Sequence, residues 1–76
     1  MERDKILLSK KISENIINEI LLSGKTKTEI AKAIGVSKPT VSQYLSGKIQ
    51  PTLATLSLLC ECLDCSPEEI LCVERK

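Results

Sequence analysis

The chain has 76 residues and a formal net charge of +1 at neutral pH. It has one tyrosine and no phenylalanine, tryptophan or histidine. An aliphatic core is therefore expected, and the side chain that most often serves as a general base or metal ligand is missing. This length suits one domain of modest stability. Because no nucleophile–base pair or carboxylate pair stands out, an enzyme is not expected.

The amino-terminal residues do not resemble a targeting segment. The first apolar run, Ile6–Leu8, is short, whereas a signal peptide needs roughly 7–15 apolar residues and a membrane helix about 20. A cytoplasmic protein is therefore predicted. Thiols stay reduced in that compartment, so disulfides are not expected.

The charges are distributed unevenly along the chain. Residues 1–50 carry nine basic and five acidic side chains, whereas residues 51–76 carry two basic and five acidic ones. This asymmetry favours one basic face. A scatter of solvated lysines is the other interpretation, and charge alone does not separate the two.

Apolar spacing predicts a first helix with one stripe, formed by Ile12, Ile16, Ile17, Ile20 and Leu21. Ser13 is a candidate N-cap, and Ser23-Gly24 is a typical helix end. Residues 1–11 leave three alternatives open: a mobile arm, a short strand or an added helical turn.

Two short helices are predicted next. Thr26 and Glu29 have the spacing of a capping box, and the buried face that follows comprises Ile30, Ala31 and Ile34. Gly35 ends this helix, and Val36 is expected to point inwards. Ser37 caps the third helix, which has Pro39 in its first turn, Val41 and Leu45 as its core pair, and Gly47 at its end.

A loop over residues 48–51 leads to a fourth helix capped by Thr52. Its predicted apolar face consists of Leu53, Leu56, Leu59, Cys60 and Leu63. Ser66 and Glu69 suggest a second capping box around Pro67, opening a fifth helix that ends near Cys72. The predicted fold is an all-α, compact bundle of five short helices.

The connection Gly35-Val36-Ser37 is the most informative feature. It is too short for antiparallel helices and is typical of a helix-turn-helix, with the small Ala31 where the backbones come closest. The outward face of the third helix carries no acidic residue. Lysine can bond guanine, glutamine can bond adenine, and Pro39 and the Thr40 methyl group can contact thymine in a major groove.

Residues 26–48, TKTEIAKAIGVSKPTVSQYLSGK, resemble the helix-turn-helix of the phage repressor and Cro family, which has the lambda-repressor-like fold. The resemblance continues through Pro51-Thr52-Leu53 and from Leu63 to Ile70, and it covers roughly residues 12–71. It implies a helix-turn-helix at about residues 27–46. It also implies a transcriptional regulator, activator or repressor, that binds double-stranded DNA sequence-specifically with helix 38–46 in the major groove.

The outward face of the third helix and the resemblance together assign two groups of residues. The expected base-reading residues are Lys38, Pro39, Thr40, Ser42 and Gln43. The resemblance implies that the start of the second helix and the end of the third bind phosphates, which by position are Thr26, Lys27, Ser37, Tyr44, Ser46 and Lys48. For these lysines, plain solvation is the alternative. Ser37, Thr40 and Ser42 could serve capping or solubility alone, and Tyr44 is expected to be half-buried.

One position departs from the family pattern. Many members have glutamine where this chain has Lys27. A charged donor at that position leads us to expect a steeper dependence of DNA binding on salt.

The expected organisation is an arm or extension at residues 1–11, a DNA-binding domain at residues 12–72 and a tail at residues 73–76. No small-molecule ligand or cofactor is expected. One recognition helix covers about half a turn of DNA, so a homodimer on a palindromic operator is predicted. The candidate pairing surface is Ile70, Leu71, Cys72 and Val73.

The cysteines have two interpretations. Cys60, Cys62 and Cys65 are closely spaced, and thiolates bind zinc. Cys60 and Cys62, however, lie about 200° apart around a helix, and reduced cysteine packs as a small apolar residue. Packing is preferred, no metal is expected, and Cys72 is the candidate reactive thiol. A zinc or thiol sensor remains an alternative that a metal assay would test.

A protein-interaction module, such as an antitoxin or anti-repressor, is the alternative function from a different class. Its contact face would be more apolar than the third helix here. A salt-dependent mobility shift of duplex DNA would distinguish the two functions.

Overall fold

The computed structural model describes residues 4–73, and all regular elements in that range are helices. They are α1 (Lys5–Ser23), α2 (Lys27–Ile34), α3 (Lys38–Leu45), α4 (Leu53–Leu63) and α5 (Pro67–Leu71). The predicted all-α bundle of five helices is confirmed. Within residues 4–73, none of the helices has the length and apolar character needed to cross a membrane.

The first helix starts earlier than its apolar stripe suggested. Asp4 is its N-cap, and the Asp4 Oδ1 atom accepts hydrogen bonds from the backbone N–H groups of Ile6 at 2.9 Å and Leu7 at 3.3 Å. Ser13 lies inside the helix, so its predicted capping role is wrong. Of the three alternatives for residues 1–11, the structure shows helix from Lys5 onwards; Met1–Arg3 lie outside the described residues.

Only part of the predicted stripe on α1 faces the core. Ile16 and Ile20 are buried, and Ile12 packs against them, but Leu21 is 67% exposed. At about 100° per residue, Leu21 lies roughly 120° around the helix from the line of Ile16 and Ile20. The prediction that Leu21 is buried is therefore wrong, because the neighbouring helices cover a narrower sector of α1.

The capping predictions for α2 and α3 are confirmed. The Thr26 hydroxyl accepts from the Glu29 N–H at 3.1 Å, and a Glu29 carboxylate oxygen accepts from the Thr26 N–H at 3.0 Å. This backbone hydrogen bond, followed by one from the Thr26 side chain, lowers the pKa of Glu29 below its ordinary value of 4.5. Gly35 ends α2 with a φ of 73°, a left-handed conformation that suits glycine.

The fourth and fifth helices differ from prediction in two details. Thr52 caps α4 as expected, but Leu53, the first residue of α4, is 80% exposed, so its predicted place on the buried face is wrong; Leu56, three residues later, is buried. Ser66 precedes α5 but makes no side-chain capping hydrogen bond, so the second capping box is wrong. The start of α5 is instead set by Pro67 and by the Ser66 carbonyl, which accepts from the Ile70 N–H at 3.3 Å.

The core lies where α1 packs against α3, α4 and α5, and where α2 packs against α3 and α4. Its buried side chains are Ile16, Ile20, Ile30, Ala31, Ile34, Val41, Tyr44, Leu56, Leu59, Cys60 and Ile70. The Asn15 amide also joins α1 to the end of α5, because its Nδ2 donates to the Ile70 carbonyl at 3.1 Å. Ile70 closes the core at 1% exposure, so its predicted place in a pairing surface is wrong.

We expect Leu59→Ala and Leu53→Ala to separate a buried from an exposed leucine of α4. Leu59 is fully buried, so its truncation should lower the free energy of unfolding by about 2–5 kcal/mol. Leu53→Ala removes the same atoms from an exposed position and should change it by no more than about 0.5 kcal/mol. Urea denaturation followed by circular dichroism measures both. Equal losses would mean that α4 is covered along its whole length.

The first capping box should make stability depend on pH. Because folding lowers the pKa of Glu29, its contribution is present above the ordinary value of 4.5 and is lost as pH falls through the lower folded value. Glu29→Gln keeps a side-chain acceptor but does not titrate. The stability advantage of the wild type over this variant should therefore shrink on acidification below pH 4.5. A constant difference down to complete protonation would show that the charge does not contribute.

Candidate nucleic-acid interface

The candidate interface is built on α2, the turn at residues 35–37 and α3. One side of each helix is buried. The buried residues are Ile30, Ala31 and Ile34 on α2 and Val41 and Tyr44 on α3. The Val36 N–H donates to the Ala31 carbonyl at 3.0 Å, which closes the end of α2, and the Val36 side chain packs against the core. The inward position predicted for Val36 is confirmed.

The residues predicted to read bases lie together on the outer side of α3. Lys38, Pro39 and Gln43 are exposed, while Thr40 and Ser42 are half-buried. Lys38 and Ser42, like Pro39 and Gln43, are four residues apart and therefore neighbours on the helix surface. The face combines one cation, one amide and two hydroxyl groups with the apolar ring of Pro39, and it contains no carboxylate. These groups suit the edges of base pairs.

Two hydroxyl groups near the start of α3 are engaged with each other. The Ser37 Oγ and Thr40 Oγ1 atoms lie 2.8 Å apart, and the Ser37 Oγ also accepts from the Thr40 N–H at 3.3 Å. The capping role predicted for Ser37 is confirmed. Since these hydroxyl groups already have a partner, the Thr40 methyl group is the part of that side chain better suited to a base contact.

Tyr44 occupies a core position instead of a half-buried one. It is 5% exposed, whereas Leu45 is half-buried and packs against the core from its edge. Tyr44 is three residues after Val41, so both face the same side of α3. Burial raises the pKa of the Tyr44 hydroxyl, which remains protonated at neutral pH. This burial weakens the case for Tyr44 as a phosphate ligand.

The amino end of α2 retains donors for an anion. The capping box uses the N–H groups of Thr26 and Glu29, while those of Lys27 and Thr28 have no partner among the described residues. The positive end of the helix dipole and the exposed Lys27 side chain add to the attraction. The Glu29 carboxylate, in the same first turn, opposes it.

The loop after α3 holds the backbone of Lys48 against the end of that helix. Gly47 has a φ of 75°, its N–H donates to the Tyr44 carbonyl at 3.1 Å, and the Lys48 N–H donates to the Gln43 carbonyl at 3.0 Å. These are the two hydrogen bonds of a Schellman motif. The Ser46 Oγ also donates to the Gln43 carbonyl, at 3.0 Å. The end of α3 is thereby ordered, with Lys48 exposed beyond it.

One residue of this region was not predicted from the sequence. The Gln50 Nε2 lies 2.8 Å from the Ser9 carbonyl, 3.0 Å from the Ser9 Oγ and 3.0 Å from the Ser13 Oγ. Gln50 thus joins the loop after α3 to the first half of α1. The partners are about forty positions away in the sequence, and no local pattern indicates such a bond.

The cysteines lie apart from the candidate interface, and no disulfide joins any of the four, all of which lie within residues 4–73. Burial, and then the neighbouring Cys60 thiol, raises the pKa of Cys65 to about 12, so this thiol is protonated at neutral pH. The Cys65 N–H donates to the Cys60 carbonyl at 3.0 Å in the motif that ends α4. Contact between these two side chains is the apolar contact that usually accompanies such a helix end.

Comparison with known proteins agrees with this architecture. A family model described as helix-turn-helix matches residues 16–70, which is more than half of the chain. Searches of curated proteins and of solved structures gave no match. The matched segment includes the whole of α2, α3 and α4, the second half of α1 and most of α5. The chain belongs to the helix-turn-helix family of the Cro/C1 type, whose members are DNA-binding transcription regulators.

Proposed function

We propose that the protein binds double-stranded DNA sequence-specifically as a transcriptional regulator and inserts the segment 38–46 into the major groove. The observation that carries this proposal is the polar, carboxylate-free outer face of α3, held by a buried inner face on a helix-turn-helix. Lys38 and Gln43 are the principal base-reading residues, because both are exposed and their polar ends have no competing role in the core. Thr40, Ser42 and Pro39 supply shorter contacts.

The proposed phosphate contacts surround this helix. Lys27 and the adjacent N–H groups lie at the start of α2, before α3 in the chain, and Ser46 and Lys48 follow α3. Such contacts set the position of the protein on the duplex but carry no base information. Thr26, Ser37 and Tyr44 belong to the same proposed set, although capping occupies the hydroxyl groups of Thr26 and Ser37, and burial restricts Tyr44.

The proposal includes action in the cytoplasm of a bacterium, or of a bacterium infected by a phage. A protein-interaction role, such as an antitoxin or anti-repressor, is less well supported. The outer face of α3 carries a lysine and amide and hydroxyl groups, whereas the core of a protein–protein interface is usually more apolar and poor in charge.

Substitutions should separate base reading from phosphate binding. Lys38→Ala and Gln43→Ala should each cost about 1–3 kcal/mol of affinity on the preferred site and lower the ratio of specific to non-specific binding. Lys27→Ala and Lys48→Ala should weaken all duplexes about equally and reduce the salt slope by roughly one unit per lost contact. The preferred site is first obtained by enrichment of bound fragments from random DNA, and anisotropy titrations on that site and a scrambled duplex then measure each variant.

All four side chains are exposed, so thermal denaturation should change little and serves as the control for folding. If both Lys38→Ala and Gln43→Ala retain full site preference, the outer face of α3 is not the surface that enters the groove. If the wild type binds no duplex at low salt, the interaction-module alternative is favoured.

A homodimer on DNA is also part of the proposal, since useful affinity normally requires two half-sites about one helical turn apart. Exposed apolar side chains that could take part lie on α4 and after α5, namely Leu53, Leu58 and Val73. We expect two chains per duplex and a palindromic site, measured by sedimentation of the protein–DNA complex. A complex of one chain on an asymmetric site would contradict the dimer while leaving the DNA-binding assignment intact.

A further inference from the structure

The first half of α1 lies outside the segment that matches the helix-turn-helix family. The match begins at residue 16, while the helix begins at Lys5. This additional part of α1 contributes little to the core, and its lysines, Lys5, Lys10 and Lys11, are all exposed. Because the family match does not include these residues, their position relative to the candidate interface is informative.

Gln50 attaches this part of α1 to the loop that follows α3. Its amide nitrogen is within 3.0 Å of the Ser9 carbonyl, the Ser9 hydroxyl and the Ser13 hydroxyl. Ser9 and Ser13 are four residues apart, so they form one continuous face of α1. The loop is attached at its other end to α3, since the Gln43 carbonyl accepts from the Lys48 N–H at 3.0 Å. A short path of hydrogen bonds therefore connects α1 to the proposed base reader.

Lys10 and Lys48 both line the groove between α1 and this loop, which has a volume of about 410 Å³. Among the described residues that line this groove, Glu14 supplies the only carboxylate, so two cations face one anion there. Lys11, the next residue of α1, instead lines a separate hollow with Asp4. Adjacent lysines on one exposed helix thus face different surroundings, and only Lys10 shares a surface with a predicted phosphate contact.

We propose that Lys10 is a further contact to the DNA phosphate backbone, positioned beside Lys48 by the hydrogen bonds of Gln50. This inference rests on the proposed function. It extends the DNA footprint from the helix-turn-helix to the first half of α1. Gln50 acts as a positioning residue, because it orders the loop and α1 relative to each other without needing to contact DNA.

The test compares Lys10→Gln with Lys11→Gln, which makes the same charge change one residue away on the same helix. A fluorescent duplex of mixed sequence, about 21 base pairs long, is titrated with each full-length variant at several salt concentrations. Lys10→Gln should flatten the plot of log affinity against log salt by about 0.9. Both affinities fall between roughly 50 and 200 mM salt, and the factor of decrease should be about 3.5 times smaller for Lys10→Gln than for the wild type. Lys11→Gln should keep the wild-type slope.

Gln50→Ala tests the positioning role. It should flatten the slope by part of the Lys10 effect, and combining it with Lys10→Gln should add less than the sum of the two single changes. Because both side chains are exposed, neither change should lower the melting temperature much, and thermal melts serve as the control for folding. Additive effects of Gln50→Ala and Lys10→Gln would overturn the coupling between the two residues.

The failure of this inference is distinguishable from failure of the proposed function. If Lys48→Gln flattens the slope but Lys10→Gln behaves like Lys11→Gln, the Lys10 contact is overturned and DNA binding stands. If the wild type shows no salt-dependent binding to the duplex, both are overturned. Saturation of the groove by inorganic phosphate, seen as shifts in the Ser9 and Ser13 amide resonances without any Lys10 effect on DNA binding, would identify a free-anion site instead.

Discussion

The candidate interface depends on the burial of Val41 and Tyr44, which form the inner face of α3. Both side chains belong to the same core cluster as Ile30 and Ala31 of α2. Eight residues make a helix too short to be stable alone in water. Packing against α1 and α2 therefore supplies its stability, and that packing determines which side of α3 remains outside. The exposed positions of Lys38 and Gln43 follow from where the core holds the opposite side.

Helix ends matter as much as helix faces in a domain of this size. The Thr26–Glu29 capping box, the Ser37 cap and the left-handed Gly35 define a connection of only three residues between α2 and α3. The same hydrogen bonds limit the chemistry left for a ligand, since a hydroxyl engaged in capping is less available to a phosphate. The amino end of α2 combines one nearby carboxylate with two N–H groups that have no partner within residues 4–73. The exposed Lys27 side chain adds a positive charge at this helix end.

Within the described residues, the segment from α4 to α5 contributes to the core and supports the packing of α1. Leu59 and Ile70 are almost fully buried, and Asn15 reaches across from α1 to the end of α5. Cys60 and Cys65 contribute apolar contact at the end of α4, and their raised pKa values favour the neutral thiol. Burial therefore favours a packing role for these neutral thiols at this helix end over metal binding, which requires thiolates.

The sequence by itself determined the number of helices, most of their caps and the position of the helix-turn-helix, because these depend on local spacing and on glycine, proline and hydroxyl residues at defined positions. The tertiary structure decided the burial of Tyr44, the exposure of Leu21 and Leu53, and the early start of α1. A helical stripe shows which side can be buried, but how wide a sector is covered depends on neighbouring helices. The Gln50 bonds to Ser9 and Ser13 depend on chain segments meeting only in the folded state, so no local sequence pattern indicates them.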